Sequence, residues 1–230
     1  MQTETSHQEV SKPLVATLVF VFKDDCSQVL LGLKKRGFGK GFWNGFGGKL
    51  QAGETIVQAA VRELAEESGI KKKETDLQKR GIIMFEFKSA EKPSWFFEVH
   101  IYSTTYNDEE IVESEEMKPE WFSVSKIPFE SMWEDDRFWL PCVLRGGYIM
   151  GFYPYDDITK NMLSGITEIV LPNDPRLSEL DLDVSGQSST ASPSDSKKCP
   201  KCRVNTFVVP DRFPMDFRQW IATGGFFQHL

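Results

Sequence analysis

The chain has 230 residues, 40% of them hydrophobic, enough for one well-filled core and a tail. A net charge of −7 and a pI near 5.1 argue against a duplex nucleic-acid binder, which carries a basic face. The amino-terminal MQTETSHQEVSKPL has acids and no arginine, unlike a secretory signal or transit peptide, and the first apolar run, Leu14 to Phe22, is too short to span a bilayer.

That first run alternates β-branched and aromatic residues, and Val29 to Leu33 follows a polar turn at Asp24-Asp25; together they predict a hairpin or two neighbouring strands. Gly37 to Gly48 reads as a loop, and a helix is expected from about Glu54 to Gly69, with Ile56, Ala60 and Leu64 as its buried stripe, joined by Val57 and Val61. Gly81 to Lys88 and Trp95 to Tyr106 read as strands of a second hairpin, and Glu120 to Val124 as a short strand. A second helix from about Asp135 to Arg145 has its turns disturbed by Pro141, and Tyr148 to Tyr155 and Ile166 to Leu171 supply closing strands. The pattern is mixed α/β, with helices covering a sheet rather than strict βαβ repetition.

From about Asn173 the composition turns polar. Residues 174–198 are expected to be a disordered linker and 1–13 a flexible amino terminus, leaving one domain at 14–173. Residues 199–230 form a tail too short for its own core. Its Cys199 and Cys202 have the spacing of half a zinc site with no second pair following, so they are expected to be inert or weakly redox-active. With Cys26 and Cys142 they are too few and too scattered for a disulfide framework, and no Asn-x-Ser/Thr acceptor occurs. The expected location is the cytoplasm, with the nucleus as an alternative.

The stretch that carries chemistry begins at Gly48. After five intervening residues comes Glu54, and after seven more the run Arg62-Glu63-Leu64, Glu66-Glu67, Gly69-Ile70. Glu63, Glu66 and Glu67 sit at i, i+3 and i+4, so their carboxylates leave one helix face within a turn and repel one another. A hard divalent cation reverses that penalty, because it takes oxygen ligands and bridges to phosphates. Arg62 has Glu66 four residues on, and Glu54 across the preceding loop, as partners. Neither Gly39-Lys40 nor Gly48-Lys49 is followed by Ser or Thr, so the glycine stretch is no P-loop. The runs Lys34-Lys35-Arg36 and Lys71-Lys72-Lys73 read as solvated.

This arrangement is the Nudix box with every position filled. The chain resembles the Nudix hydrolases, and within them the MutT-homologue branch that removes oxidised purine nucleoside triphosphates. The resemblance runs from about Leu14 to Val170 and includes LLGLKKRGFGKGFWNGFGGK at Leu30 to Lys49, FEF at Phe85 to Phe87, VESEEMKPEWF at Val112 to Phe122 and MWEDDRFW at Met132 to Trp139. It implies a Nudix fold, a mixed β-sheet between helices in an α/β/α sandwich; it says nothing about the carboxy-terminal tail, which composition alone marks as poorly structured. It also implies metal ligands at Glu63, Glu67, the carbonyl of Gly47 and Glu116, with Glu66 supporting them or orienting water. Gly48, Glu54, Arg62 and Gly69 then hold the loop and helix in place.

The implied cofactor is Mg²⁺, with Mn²⁺ as an alternative, and the implied reaction is attack of water within the triphosphate to give a monophosphate and pyrophosphate. Base recognition falls to Asn44, Trp133, Asp135 and Asp136, with Thr17, Lys34, Phe38 and Phe85 lining the pocket. Trp133 offers a stacking face, and one of the adjacent aspartates is expected to keep a proton and donate. Taken singly, the aromatics read as core, Asp135-Asp136 as a helix start and Asn44 as a turn residue. The expected partner is a small nucleotide, with no duplex nucleic acid and no membrane, bound by a monomer whose tail partner is unknown. The alternatives are hydrolysis of a methylated purine triphosphate or a dinucleotide polyphosphate, or a non-catalytic nucleotide-binding scaffold.

Overall fold

The computed structural model describes residues 13–170 apart from 24, 25, 91, 158 and 159. The expected Asp24-Asp25 turn, the linker and the tail with Cys199 and Cys202 lie outside the described residues, as does the flexible amino terminus apart from Pro13. The elements run β1 (Leu14–Lys23), β2 (Gln28–Lys34), β3 (Trp43–Asn44), α1 (Ile56–Ser68), β4 (Gln78–Lys88), β5 (Trp95–Thr105), β6 (Met117–Ser123), α2 (Asp136–Leu144), β7 (Tyr148–Asp156) and β8 (Ile166–Val170). All eight strands join one sheet in the order β3-β2-β1-β5-β4-β7-β8, with β6 on the other edge of β2. It is mixed: β1 runs parallel to β5 and β4 parallel to β7, while the remaining pairs are antiparallel.

Alternation along β1 divides the core in two. Phe20 and Phe22 face one way, with Val29 and Leu31 of β2, and pack with Trp139, Leu140 and Val143 of α2. Val19, Val21 and Leu30 face the other way and pack with Ile56, Ala60 and Leu64 of α1. The helices therefore cover opposite faces, giving the expected sandwich. Leu64 is fully buried, a contribution of about 2 kcal/mol at ordinary transfer values.

Several boundaries differ from expectation for local reasons. Helix α1 starts at Ile56 because Thr55 caps it: its hydroxyl accepts from Gln58 N–H while the Gln58 side chain accepts from Thr55 N–H. Ala59 is buried beside the expected stripe, whereas Val57 and Val61 are half-buried. Strand β6 starts three residues before the expected Glu120 and runs through Pro119, which an edge strand tolerates because its missing N–H can face away from the ladder. Pro141 leaves α2 only nine residues long, and the end tightens as Arg145 and Gly146 bond back three residues to Cys142 and Val143. Lys72 corrects the reading of its run as solvated: it is buried and ion-paired with Glu109.

Strands β1 and β2 pair only at their hairpin end, over Val21–Lys23 and Gln28–Leu30. Beyond it they splay, and residues 43–49 fill the gap. Trp43 and Asn44 pair with Leu33 and Gly32 of β2, while Phe46 and Lys49 bridge to Val19 and Ala16 of β1. This inlay brings the glycine stretch to the end of α1.

Candidate active site

Gly47 lies so close to β1 that a β-carbon there would sit 1.9 Å from the Thr17 carbonyl oxygen; one on Gly48 would sit 2.5 Å from Glu63 Oε1. Only glycine fits at the first place, where the obstacle is backbone; at the second the Glu63 carboxylate would have to move. Helix α1 brings Glu63 and Glu67 against this loop, and its αL cap at Gly69, with φ +77, ends it there. Gly47 N–H donates to Glu67 Oε2 (2.8 Å), and Lys34 Nζ donates to Glu67 Oε1 (2.9 Å). The same ammonium stands 3.5 Å from Glu116 Oε1.

Arg62 uses its planar fork on four groups. Nε and NH2 donate to the two oxygens of Glu54 (2.6 and 3.0 Å), NH1 to Glu63 (2.8 Å) and Glu66 (3.2 Å), and NH2 also to the Lys49 carbonyl (3.2 Å). Its hydrogen bond holds the Glu54 carboxyl below the usual range, and those bonds together raise the arginine further. Gln51 N–H adds a third bond to Glu54 (3.0 Å). Burial pushes the Glu63 and Glu67 carboxyls up, against the lowering pull of Arg62 on the first and Lys34 on the second. Repulsion within the acidic face is thus relieved by cations of the chain itself.

These groups form one end of a cavity of about 530 Å³. Glu63, Glu67, Glu116, Gly47, Gly48 and Lys34 line it, and so do Thr17, Phe38, Asn44, Phe85, Trp133, Asp135 and Asp136. Glu66 is not brought to the lining; its carboxylate is exposed on the far side of Arg62. Glu54 and Arg62 stand behind the loop, on Gln51 N–H and the Lys49 carbonyl, while Gly69 lies against Val112 and outside the lining.

The other end is aromatic with an acidic floor. Asp135 and Asp136, 1% and 2% exposed, begin α2. Trp139 Nε1–H donates to Asp135 Oδ2 (2.7 Å), and the Tyr155 hydroxyl donates to Oδ1. Burial raises the Asp135 carboxyl to about 6, and burial together with the charge of Asp135 raises Asp136 well above the carboxylate range. Asp136 Oδ2 accepts from Trp133 N–H (3.1 Å), against two side-chain donors on Asp135, so burial bears harder on a charge at Asp136.

Asn44 belongs to a strand rather than a turn, and its Oδ1 accepts from Gly45 N–H (2.8 Å). Phe38 lies on Trp133, ring centres 5.0 Å apart at 20°, so one face of that indole is already covered. The Thr17 hydroxyl is buried without a hydrogen-bond partner among the described residues.

Sequence reasoning missed Phe87, Phe97, Lys49, Trp139 and Tyr155, all in the lining. Phe87 follows Phe85 by two on β4, and Phe97 is Phe85's cross-strand partner, so period-2 alternation was a signal for both. Tyr155 carries no such signal; its role comes from the β4–β7 pairing.

The model of the NUDIX domain matches residues 12–141. The chain belongs to the Nudix family. Among its Nudix relatives is an oxidized purine nucleoside triphosphate hydrolase of Danio rerio, 45% identical over 156 residues, covering 66% of this chain and 96% of that protein. A protein of the same name from Mus musculus is 46% identical over 141 residues, covering 61% and 86%. The solved structure of a MutT protein from Bacillus halodurans superposes with a TM-score of 0.59 at 27% identity, covering 67% of this chain and 97% of that one.

Nudix hydrolases generally use a divalent metal. The chemistry of the donors suits one: Glu63, Glu67 and Glu116 offer hard carboxylate oxygens to the same cavity, and the Lys34 ammonium, a cation, already lies against two of them. Among the described residues no three such side chains are drawn together beforehand, because Lys34 and Arg62 hold them.

Proposed function

We propose that this Nudix enzyme is a Mg²⁺-dependent hydrolase of oxidised purine nucleoside triphosphates, releasing a monophosphate and pyrophosphate and so clearing damaged nucleotides from the pool. The observation that carries the reading is one continuous cavity joining a hard-oxygen end to an aromatic end with two buried aspartates. The names of the fish and mouse relatives support it.

In this reading Glu63, Glu67, Glu116 and the Gly47 carbonyl hold the cation, with Mn²⁺ an alternative. Bound there, a divalent ion neutralises phosphoryl charge and acidifies water. With Glu67 shared with such a cation, the Lys34 ammonium, which pairs with that carboxylate here at 2.9 Å, would be placed to meet a phosphate oxygen. Arg62 keeps Glu63 aimed inward and holds Glu66 outside the cavity, as a charge behind the site. At the aromatic end Phe38, Phe85 and Trp133 flank the base, and Asn44 bonds its edge. Asp135, ionised, accepts from the base, while Asp136, protonated, donates, so that one floor reads guanine-like and adenine-like edges.

The test is a panel of oxidised, methylated and unmodified nucleoside triphosphates and dinucleotide polyphosphates with Mg²⁺, resolving monophosphate from pyrophosphate. Highest kcat/KM on oxidised purines with pyrophosphate released supports the proposal. Preference for a dinucleotide polyphosphate, or no turnover of any nucleotide, overturns it.

A further inference from the structure

The outer rim of the cavity contains an arrangement the reaction does not use. Lys160, in the loop between β7 and β8, places Nζ 5.2 Å from the ring centre of Phe87, 5.6 Å from Phe38 and 5.9 Å from Trp95. All three lie within reach of a cation–π attraction. Asp157 fixes the ammonium: its Oδ1 accepts from Lys160 Nζ (2.9 Å) and from the Trp95 indole N–H (3.0 Å). Phe87 and Trp95 are themselves stacked, 4.2 Å apart at 13°. One ion pair therefore ties the ends of β4 and β5 to the loop bearing Phe38.

Phe38 is what this tie controls. It is 48% exposed, on a turn whose flanking Gly37 and Gly39 both have positive φ, and it covers one face of Trp133. Rings 5.0 Å apart leave no room for a base between them, which needs about 7 Å for two van der Waals contacts. Where Phe38 is held thus decides which aromatic surface a purine meets.

We propose that Lys160, held by Asp157, is a positioning residue for the purine base, clamping Phe38 in place through cation–π contact. The inference rests on the purine reading above. Because the clamp acts on a ring face, it affects purines alike, whatever their substituents. It needs a positive charge at that point and not merely a long side chain.

The experiment compares K160A, K160Q and K160R in the full chain. KM and kcat are measured on the purine triphosphate that wild type hydrolyses best, and Kd for GMP by tryptophan quenching, which needs no turnover. K160A and K160Q are expected to raise both KM and Kd about five- to twentyfold with kcat held within about twofold, whereas K160R returns to within about twofold of wild type. Unchanged Kd for GMP in K160A overturns the clamp, as does K160Q matching K160R, or a fall in kcat at constant KM. Wild-type protein that neither binds nor hydrolyses any purine nucleotide overturns the purine reading and the clamp with it. GMP binding that is equal in wild type and all three variants removes the clamp alone.

Discussion

The ammonium of Lys34 meets the carboxylate of Glu67 at 2.9 Å, joining the end of β2 to the inner face of α1 at the acidic end of the cavity. Gly47 N–H holds the other oxygen of the same carboxylate. Glu67 is almost wholly buried, so its charge is sustained by these two contacts until a stronger cation competes.

Glu67→Gln should lose more than about a hundredfold in kcat, because a ligand charge goes while its shape stays. Thermal melts separate this from misfolding. Mg²⁺ should raise the wild-type Tm by selective binding to the folded state and leave the variant unmoved. Wild-type turnover by the variant in Mg²⁺ would show that Glu67 has no part in the site.

Arg62→Lys keeps a charge but cannot reproduce the fork that serves Glu54, Glu63, Glu66 and the Lys49 carbonyl. Expected are a loss of about 1–3 kcal/mol in stability from the freed partly buried acceptors and at least a tenfold drop in kcat. Denaturant unfolding and steady-state assays measure both. A variant indistinguishable from wild type in either would mean the fork is dispensable.

Asp135 gives two pH dependences of opposite sign. Its folded value, raised to about 6 by burial, lies above the ordinary 3.8, so the ionised carboxylate costs stability above pH 6. Stability should therefore improve as pH falls from 6 towards 4. Binding of guanine-like bases, which needs the ionised acceptor, should weaken over the same interval. Asp135→Asn, which sets an amide donor against the Trp139 or Tyr155 donor, should abolish both trends and lower kcat/KM. Asp136→Asn, replacing a protonated acid with an amide, should be the milder change. Tm and KM measured from pH 4 to 8 decide between these outcomes, and equal damage from the two variants would reject the division of roles.

Truncation after Asn173 should leave turnover within about twofold, since the cavity lining ends at Tyr155 and the sheet closes with β8 at Val170. The assay runs on the purified 1–173 fragment beside the full chain. A fragment with clearly lower Tm or turnover would show that residues 174–230 contribute to the domain.

Much of the fold was legible because alternation and capping are local. The β4–β5 hairpin shows in its period-2 runs and the Pro93 break, and the acidic helix in its spacing and Gly69 stop. The box residues were legible for the same reason: they lie within 23 positions from Gly48 to Ile70. What escaped depends on distant partners. Lys72 looks solvated until the loop after β5 brings Glu109 over it. Tyr155 looks like a core tyrosine until β7 lies beside β4 and its hydroxyl reaches Asp135. Glu66 shares its helix turn with Glu63 and Glu67, but Arg62 draws it to the outside, which spacing alone cannot say.

The inlay of residues 43–49 between β1 and β2 should give the loop at the acidic end of the cavity a hydrogen-exchange pattern unlike a surface loop's. Phe46 N–H is bonded to Val19, Thr17 N–H to Gly48 and Leu50 N–H to Val15, so these amides cannot meet solvent unless the strands part. They should exchange as slowly as those at the centre of the sheet, only through global opening, whereas a surface loop would exchange through local fraying. For this chain, losing the loop that carries Gly47 and Gly48 and losing the fold would then be one and the same event.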